Sequence, residues 1–185
     1  MTITIAKIPN ILTSTRIILT PIICILMYID TEVTRVMAIM FATIASITDY
    51  FDGKIARKYN VCTPFGRCMD PIADKTLVMA LIVMLIYLQK AWIFPCIIIL
   101  FREFVISGIR EFIAKEKQIT IKVSKIAKIK TTTQMFSLIF LMIFNQNKIL
   151  FITGNILLTI ASILSIITSI QYIKSIQDIY IINNK

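Results

Sequence analysis

This sequence predicts an all-α integral membrane protein of six crossings, and three observations lead there. Hydrophobic residues make up 57% of its 185 positions, and the mean hydropathy of +0.83 is far above that of a soluble globular domain. The apolar residues collect in six runs of helical character separated by short polar connections. Only four glycines occur, with no internal repeat, low-complexity tract or flexible linker, so residues 1–185 read as a single membrane domain.

The first run, Ile11 to Tyr28, follows MTITIAKIPN, which has neither a long apolar h-region nor a small-residue cleavage site; no removed signal peptide is expected. A connection carrying Asp30, read as an external loop where a change to Asn should do little to activity, leads to the second run, Val33 to Tyr50. The third (Thr76 to Leu88), fourth (Ala91 to Phe101) and fifth (Thr131 to Phe144) fall short of the ~18 apolar residues a crossing needs, so each must extend through polar ends. The sixth, Ile149 to Ile173, is long enough by itself.

The net charge of +10 has three physical readings: nucleic acid, an anionic lipid surface, or an anionic substrate. Six crossings put seventeen of the twenty basic residues on one side or in helix ends opening toward it, leaving Arg35, Lys90 and Lys148 opposite. By the positive-inside rule that side is cytoplasmic, in a multi-pass protein of the cell (inner) membrane. Five crossings would instead move Lys174 and Lys185 to the other face. Nucleic acid is not expected as a partner, because the basic residues lie among spanning segments instead of on a separate aromatic-bearing module. The four cysteines, Cys24, Cys62, Cys68 and Cys96, form no CxxC pair and read as buried apolar residues. Histidine is absent, so proton transfer falls to carboxylate, lysine, tyrosine or water.

Against this background stands DYFDGKIARKYNVCTPFGRCMDPIAD, Asp49 to Asp74. Asp49, Asp52, Gly53 and Ala56 lie at helical spacings along one face, joining two carboxylates to two very small side chains. Asn60 to Thr63 before Pro64 breaks the helix, and a new one starts near Gly66, with Asp70 and Asp74 stacked four residues apart. If the two helices are antiparallel neighbours, the four carboxylates converge at the cytoplasmic edge. Two acids three residues apart are, alone, a solvated helix end, and a lone Asp-Gly is a turn. Together they form a hard-oxygen site without histidine or thiolate, suited to two divalent ions, Mg2+ or Mn2+, next to which Arg57 can hold a phosphate oxygen.

The pattern Asp49-x2-Asp52-Gly53-x2-Ala56-Arg57-x8-Gly66-x3-Asp70-x3-Asp74 resembles, at all eight fixed positions, the signature of the CDP-alcohol phosphotransferase family. The resemblance covers nearly the whole chain and implies that family's six-helix membrane fold. It also implies that Asp49, Asp52, Asp70 and Asp74 hold two divalent ions and that Asp74 is in addition the catalytic base. Gly53, Ala56, Arg57 and Gly66 would then contact the CDP-lipid. IPNILTSTRIILTPI (8–22), REFVISGIREF (102–112) and SKIAKIKTTTQM (124–135) look like the bacterial phosphatidylglycerophosphate synthase branch. That likeness implies CDP-diacylglycerol and glycerol 3-phosphate as substrates, within membrane lipid; a homodimer is left open beside a monomer. The chain departs from the branch at Ala127, where glycine is expected.

Arg102, Arg110, Lys125, Lys128 and Lys130 follow or border a membrane helix and supply more positive charge than an uncharged acceptor needs, so they are candidates for binding an acceptor phosphate. The same residues could merely orient helices or meet lipid headgroups, and Glu103 or Glu111 could pair with the arginines. Two other readings compete. One is a sibling enzyme using phosphatidylglycerol, inositol phosphate or serine. The other is a divalent-cation transporter, which would string acids across the bilayer depth instead of gathering them at one level.

Overall fold

The computed structural model describes residues 2–59, 64–117, 125–143 and 147–183. Among these every regular element is an α-helix: α1 (Thr2–Ile29), α2 (Glu32–Tyr59), α3 (Pro64–Tyr87), α4 (Ile93–Lys117), α5 (Lys125–Ile143) and α6 (Lys148–Asn183). The expected extensions through polar ends are present: α3, α4 and α5 run well past their apolar runs into charged sequence. α3 starts at Pro64, two residues before the expected Gly66, because proline at a first helical position gives up no intrahelical hydrogen bond. The expected break at Asn60 to Thr63 lies outside the described residues.

Two short turns close one end of the bundle. Thr31 caps α2: its Oγ1 accepts from the Thr34 amide (3.2 Å) while Thr34 Oγ1 accepts from the Thr31 amide (3.0 Å), a reciprocal box with threonine in place of the usual glutamate. After α3, Gln89 takes a left-handed φ of 57°, and the Lys90 and Gln89 amides return to Leu85 O and Ile86 O, satisfying carbonyls that the helix end would orphan. Asp30, also left-handed at φ 47°, sits between these turns. It accepts from Arg35 Nε at 3.1 Å and from Lys90 Nζ at 2.8 and 3.0 Å. The loop aspartate is thus an ion-paired clasp between the α1–α2 and α3–α4 connections, and two of the three basic residues assigned to that side converge on it. Asn155 of α6 completes the end, accepting from the Trp92 amide (2.6 Å) and donating to Lys90 O (3.3 Å).

Polar side chains share the buried stripes of α1 and α6 with apolar ones, while many large apolar side chains face outward. Thr13, Arg16, Thr20, Ile23 and Met27 form the buried stripe of α1, and Asn155, Leu158, Ser162, Ser165 and Thr168 that of α6. Isoleucines 156, 160, 163, 166, 167 and 170 of α6 are exposed. α1 packs on α2 and α3, α6 on α4 and α5, and α5 also meets α2 and α3. α5 and α6 come very close at Gly154, whose carbonyl accepts from Ser137 Oγ at 3.0 Å. A Cβ there would lie 2.6 Å from Leu141 Cδ2, so a side chain has no room.

Among the described residues two helices are long and apolar enough to cross a membrane, over Ile126–Ile143 and Lys148–Gln177, while Thr13–Ile29 and Lys75–Tyr87 are shorter apolar stretches. α4 falls short because Arg102, Glu103 and Arg110 interrupt it.

Candidate active site

On α2 the buried Ala38, Ala42 and Ala45 follow one another at spacings of four and three, and positions 49, 52 and 56 continue that stripe toward the end of the helix. On α3 the buried Leu85, Leu81 and Val78 run back to positions 74, 70 and 66 in the same way. All four acid positions are thus register continuations of core-facing stripes, and both helices pack against α1 and α5. The side chains of Asp49, Asp52, Gly53, Ala56, Arg57, Gly66, Asp70, Asp74 and Lys125 lie outside the described residues.

Next to this end is a cavity of about 160 Å³ between three helices. α3 contributes Lys75 and Val78 to it, α4 contributes Arg102, Glu103, Ile106, Ser107 and Arg110, and α5 contributes Ala127, Lys130, Thr131 and Gln134. Val78 links it to the acid stripe, one turn after position 74. Among the described residues, four cations and one carboxylate line a space the size of a small polar ligand.

Arg102, Lys130 and Arg110 are each held differently. Arg102 donates from Nε to Ser169 Oγ (2.9 Å), from Nη1 to Glu103 Oε1 (3.1 Å) and from Nη2 to Thr168 Oγ1 (3.1 Å). Those two hydroxyls donate their own protons to α6 carbonyls, at Ser165 O for Ser169 and at Leu164 O or Ser165 O for Thr168, and so remain acceptors for the guanidinium. Lys130, only 4% exposed, donates to the same Glu103 Oε1. Burying an ammonium this deeply requires a counter-charge, and Glu103 supplies it. Ser107 Oγ donates to the Glu103 carbonyl and ties the next turn of α4 to it. Arg110 is exposed, and its guanidinium lies 5.5 Å from the centre of the Tyr172 ring of α6, in cation–π range.

Three of the five basic residues singled out for an acceptor phosphate, Arg102, Arg110 and Lys130, therefore share one cavity, and the Arg102–Glu103 pairing foreseen as an alternative is present. Lys128 is exposed on α5 and does not line it. Ala127 does, so the departure from glycine falls on the cavity wall. Sequence reasoning missed Lys75, hidden in the motif as the residue after Asp74, and the α6 groups Thr168, Ser169 and Tyr172, which only packing brings to α4. It also passed over Arg16, 2% exposed on the stripe of α1 that faces α2 and α3; a lone arginine inside an apolar run was the available signal.

Comparison with known proteins gives a consistent picture. The sequence model of the family described as CDP-alcohol phosphatidyltransferase matches residues 6–170. A protein of Rickettsia typhi named CDP-diacylglycerol--glycerol-3-phosphate 3-phosphatidyltransferase is 45% identical over 172 residues, 91% of this chain and 96% of that one. Proteins of the same name from Haemophilus influenzae (40% identical, 91% of this chain and 92% of that one) and Wigglesworthia glossinidia brevipalpis (36%, 90% and 92%) are also similar.

Proposed function

Because the chain belongs to the CDP-alcohol phosphatidyltransferase family, we propose that it transfers the phosphatidyl group of CDP-diacylglycerol to glycerol 3-phosphate, giving phosphatidylglycerophosphate and CMP. The names of its relatives support the substrates. The observation that carries the acceptor class is the cavity, where, among the described residues, Lys75, Arg102, Arg110 and Lys130 face one carboxylate. A phosphate dianion matches that excess of positive charge, and an uncharged alcohol does not.

The donor set at positions 49, 52, 70 and 74 is all carboxylate in a chain without histidine, which fits two hard divalent ions, magnesium or manganese. When bound, such ions draw charge off the transferring phosphate and stabilise the attacking and leaving oxygens. Asp74 takes the proton of the acceptor hydroxyl as its oxygen bonds to the phosphorus that carries the diacylglycerol. The bond from that phosphorus to the CMP oxygen breaks, and CMP departs. Arg57 holds a pyrophosphate oxygen, while Gly53, Ala56 and Gly66 keep the helix surfaces low enough for the nucleotide to lie against them. The cavity cations orient the acceptor by its phosphate, so binding energy fixes the hydroxyl beside Asp74.

We further read the six helices as one membrane domain of six crossings with this site at the cytoplasmic side. Apolar side chains on the outside of every helix and the lopsided distribution of basic residues support it. The test is product analysis: purified protein with CDP-diacylglycerol and a panel of radiolabelled alcohols should form phosphatidylglycerophosphate from glycerol 3-phosphate. Product from phosphatidylglycerol, inositol phosphate or serine instead would overturn the acceptor while leaving the family untouched.

A further inference from the structure

Glu103 is the one carboxylate among the described residues that line a cavity built for an anion, where its charge opposes the ligand. Its Oε1 is shared by Arg102 and Lys130, and Lys75 acts on it electrostatically from α3. The two bonded cations differ in chemistry. Each hydrogen-bonding nitrogen of Arg102 is engaged, two of them by hydroxyls anchored to α6, so its guanidinium is a fixed wall. Lys130 reaches across from α5 on a flexible four-carbon stem and carries a point charge with no preferred fork geometry.

We propose that Glu103 is a resident counter-ion of the acceptor pocket: it holds Lys130 while the pocket is empty, yields it to the incoming phosphate, and takes it back as product leaves. The inference rests on the acceptor reading above and adds a reason for the carboxylate. Four cations around an empty cavity repel one another, and Glu103 offsets that in the resting protein. In the proposed reaction the phosphate monoester of the acceptor is carried into the product unchanged. A pocket that gripped it with the full charge of all four cations would bind substrate and product equally tightly and slow release. A carboxylate competing for Lys130 weakens both by like-charge repulsion and sets the balance toward turnover. Glu103 is thus a positioning residue for Lys130 and a tuner of phosphate affinity.

Inorganic phosphate, tested as a competitor of glycerol 3-phosphate in detergent micelles, reads this directly. In Glu103→Gln, which keeps shape and loses charge, the inhibition constant of phosphate and the KM for glycerol 3-phosphate should both fall roughly tenfold. kcat should fall with them, while KM for CDP-diacylglycerol stays within about twofold. A simple strut between α4 and α5 predicts phosphate inhibition unchanged or weaker, and that result overturns the proposal. Lys130→Gln decides the matter independently should Glu103→Gln not fold: it should weaken phosphate inhibition at least tenfold, and unchanged inhibition shows that Lys130 is not the exchanged cation. Failure of the acceptor reading looks different, for then the wild-type enzyme neither uses glycerol 3-phosphate nor is inhibited by phosphate.

Discussion

Lys90 and Asp30, sixty residues apart in sequence, meet at 2.8 Å and join the α1–α2 turn to the α3–α4 connection. Lys90 is only 9% exposed at its side chain, so it depends on that carboxylate, which Arg35 also contacts from the first turn of α2. The contact lies at the end of the bundle opposite the acid positions, and its role is to hold helix ends together.

Replacing Asp30 by Asn should therefore lower thermal stability in detergent by the equivalent of about 1–3 kcal/mol, the cost of leaving a buried charge without its partner. Burial pushes the Asp30 carboxyl up, but hydrogen bonds and charge from Lys90 and Arg35 outweigh it and hold the group below the usual aspartate range. A carboxylate depressed in the folded state stabilises above its unfolded value of about 3.9, and that contribution is lost as pH falls through the lower folded value. The gap in Tm between wild type and Asp30→Asn should be full at neutral pH and shrink as pH drops below about 4. A gap that persists unchanged at low pH would point to packing, not charge.

Chelation should abolish CMP release, and magnesium or manganese should restore it. Asp70→Asn, which removes one proposed ligand, should lower kcat by several powers of ten with little change in folding. Full turnover in metal-free buffer would end the two-ion reading.

Single cysteines at positions 60 and 184, in a protein whose native cysteines are replaced, should be labelled by an impermeant reagent only from the cytoplasmic side. Labelling of position 60 from outside would reverse the orientation and the direction of substrate access.

Arg110→Ala should raise KM for glycerol 3-phosphate by tens-fold while affecting CDP-diacylglycerol less, because the proposed reading gives this lining residue to the acceptor phosphate and not to the nucleotide lipid. Arg57→Ala should show the reverse. Equal loss for both substrates with Arg110→Ala would assign it a structural role on Tyr172 instead.

Gly154→Ala should destabilise the α5–α6 contact by about 1–3 kcal/mol, since its methyl would fall 2.6 Å from Leu141 Cδ2. Combined with Leu141→Ala, which empties that space at its own cost in core packing, the loss should be smaller than the sum of the two single losses, measured as Tm of the single and double variants. Strictly additive losses would show that the two positions do not share the contact.

The sequence by itself determined the helical class, the number of helices and the stripe positions of the acids, because these depend on local quantities: apolar run length, the 3.6-residue period and proline placement. Asp49, Asp52, Asp70 and Asp74 could be put on helix faces from spacing alone, and the signature around them already pointed to the family. The structure added that those faces continue the buried stripes of Ala38, Ala42, Ala45 and of Val78, Leu81, Leu85. Only the tertiary structure decided which charges meet. Asp30 and Lys90, Glu103 and Lys130, Arg102 and Ser169, Arg110 and Tyr172 lie on different helices or connections, and no periodicity within one segment encodes such a pairing. In an apolar bundle these long-range partnerships are set by the requirement that each buried charge find an opposite charge or a hydrogen bond, and that requirement is met only once the helices are packed.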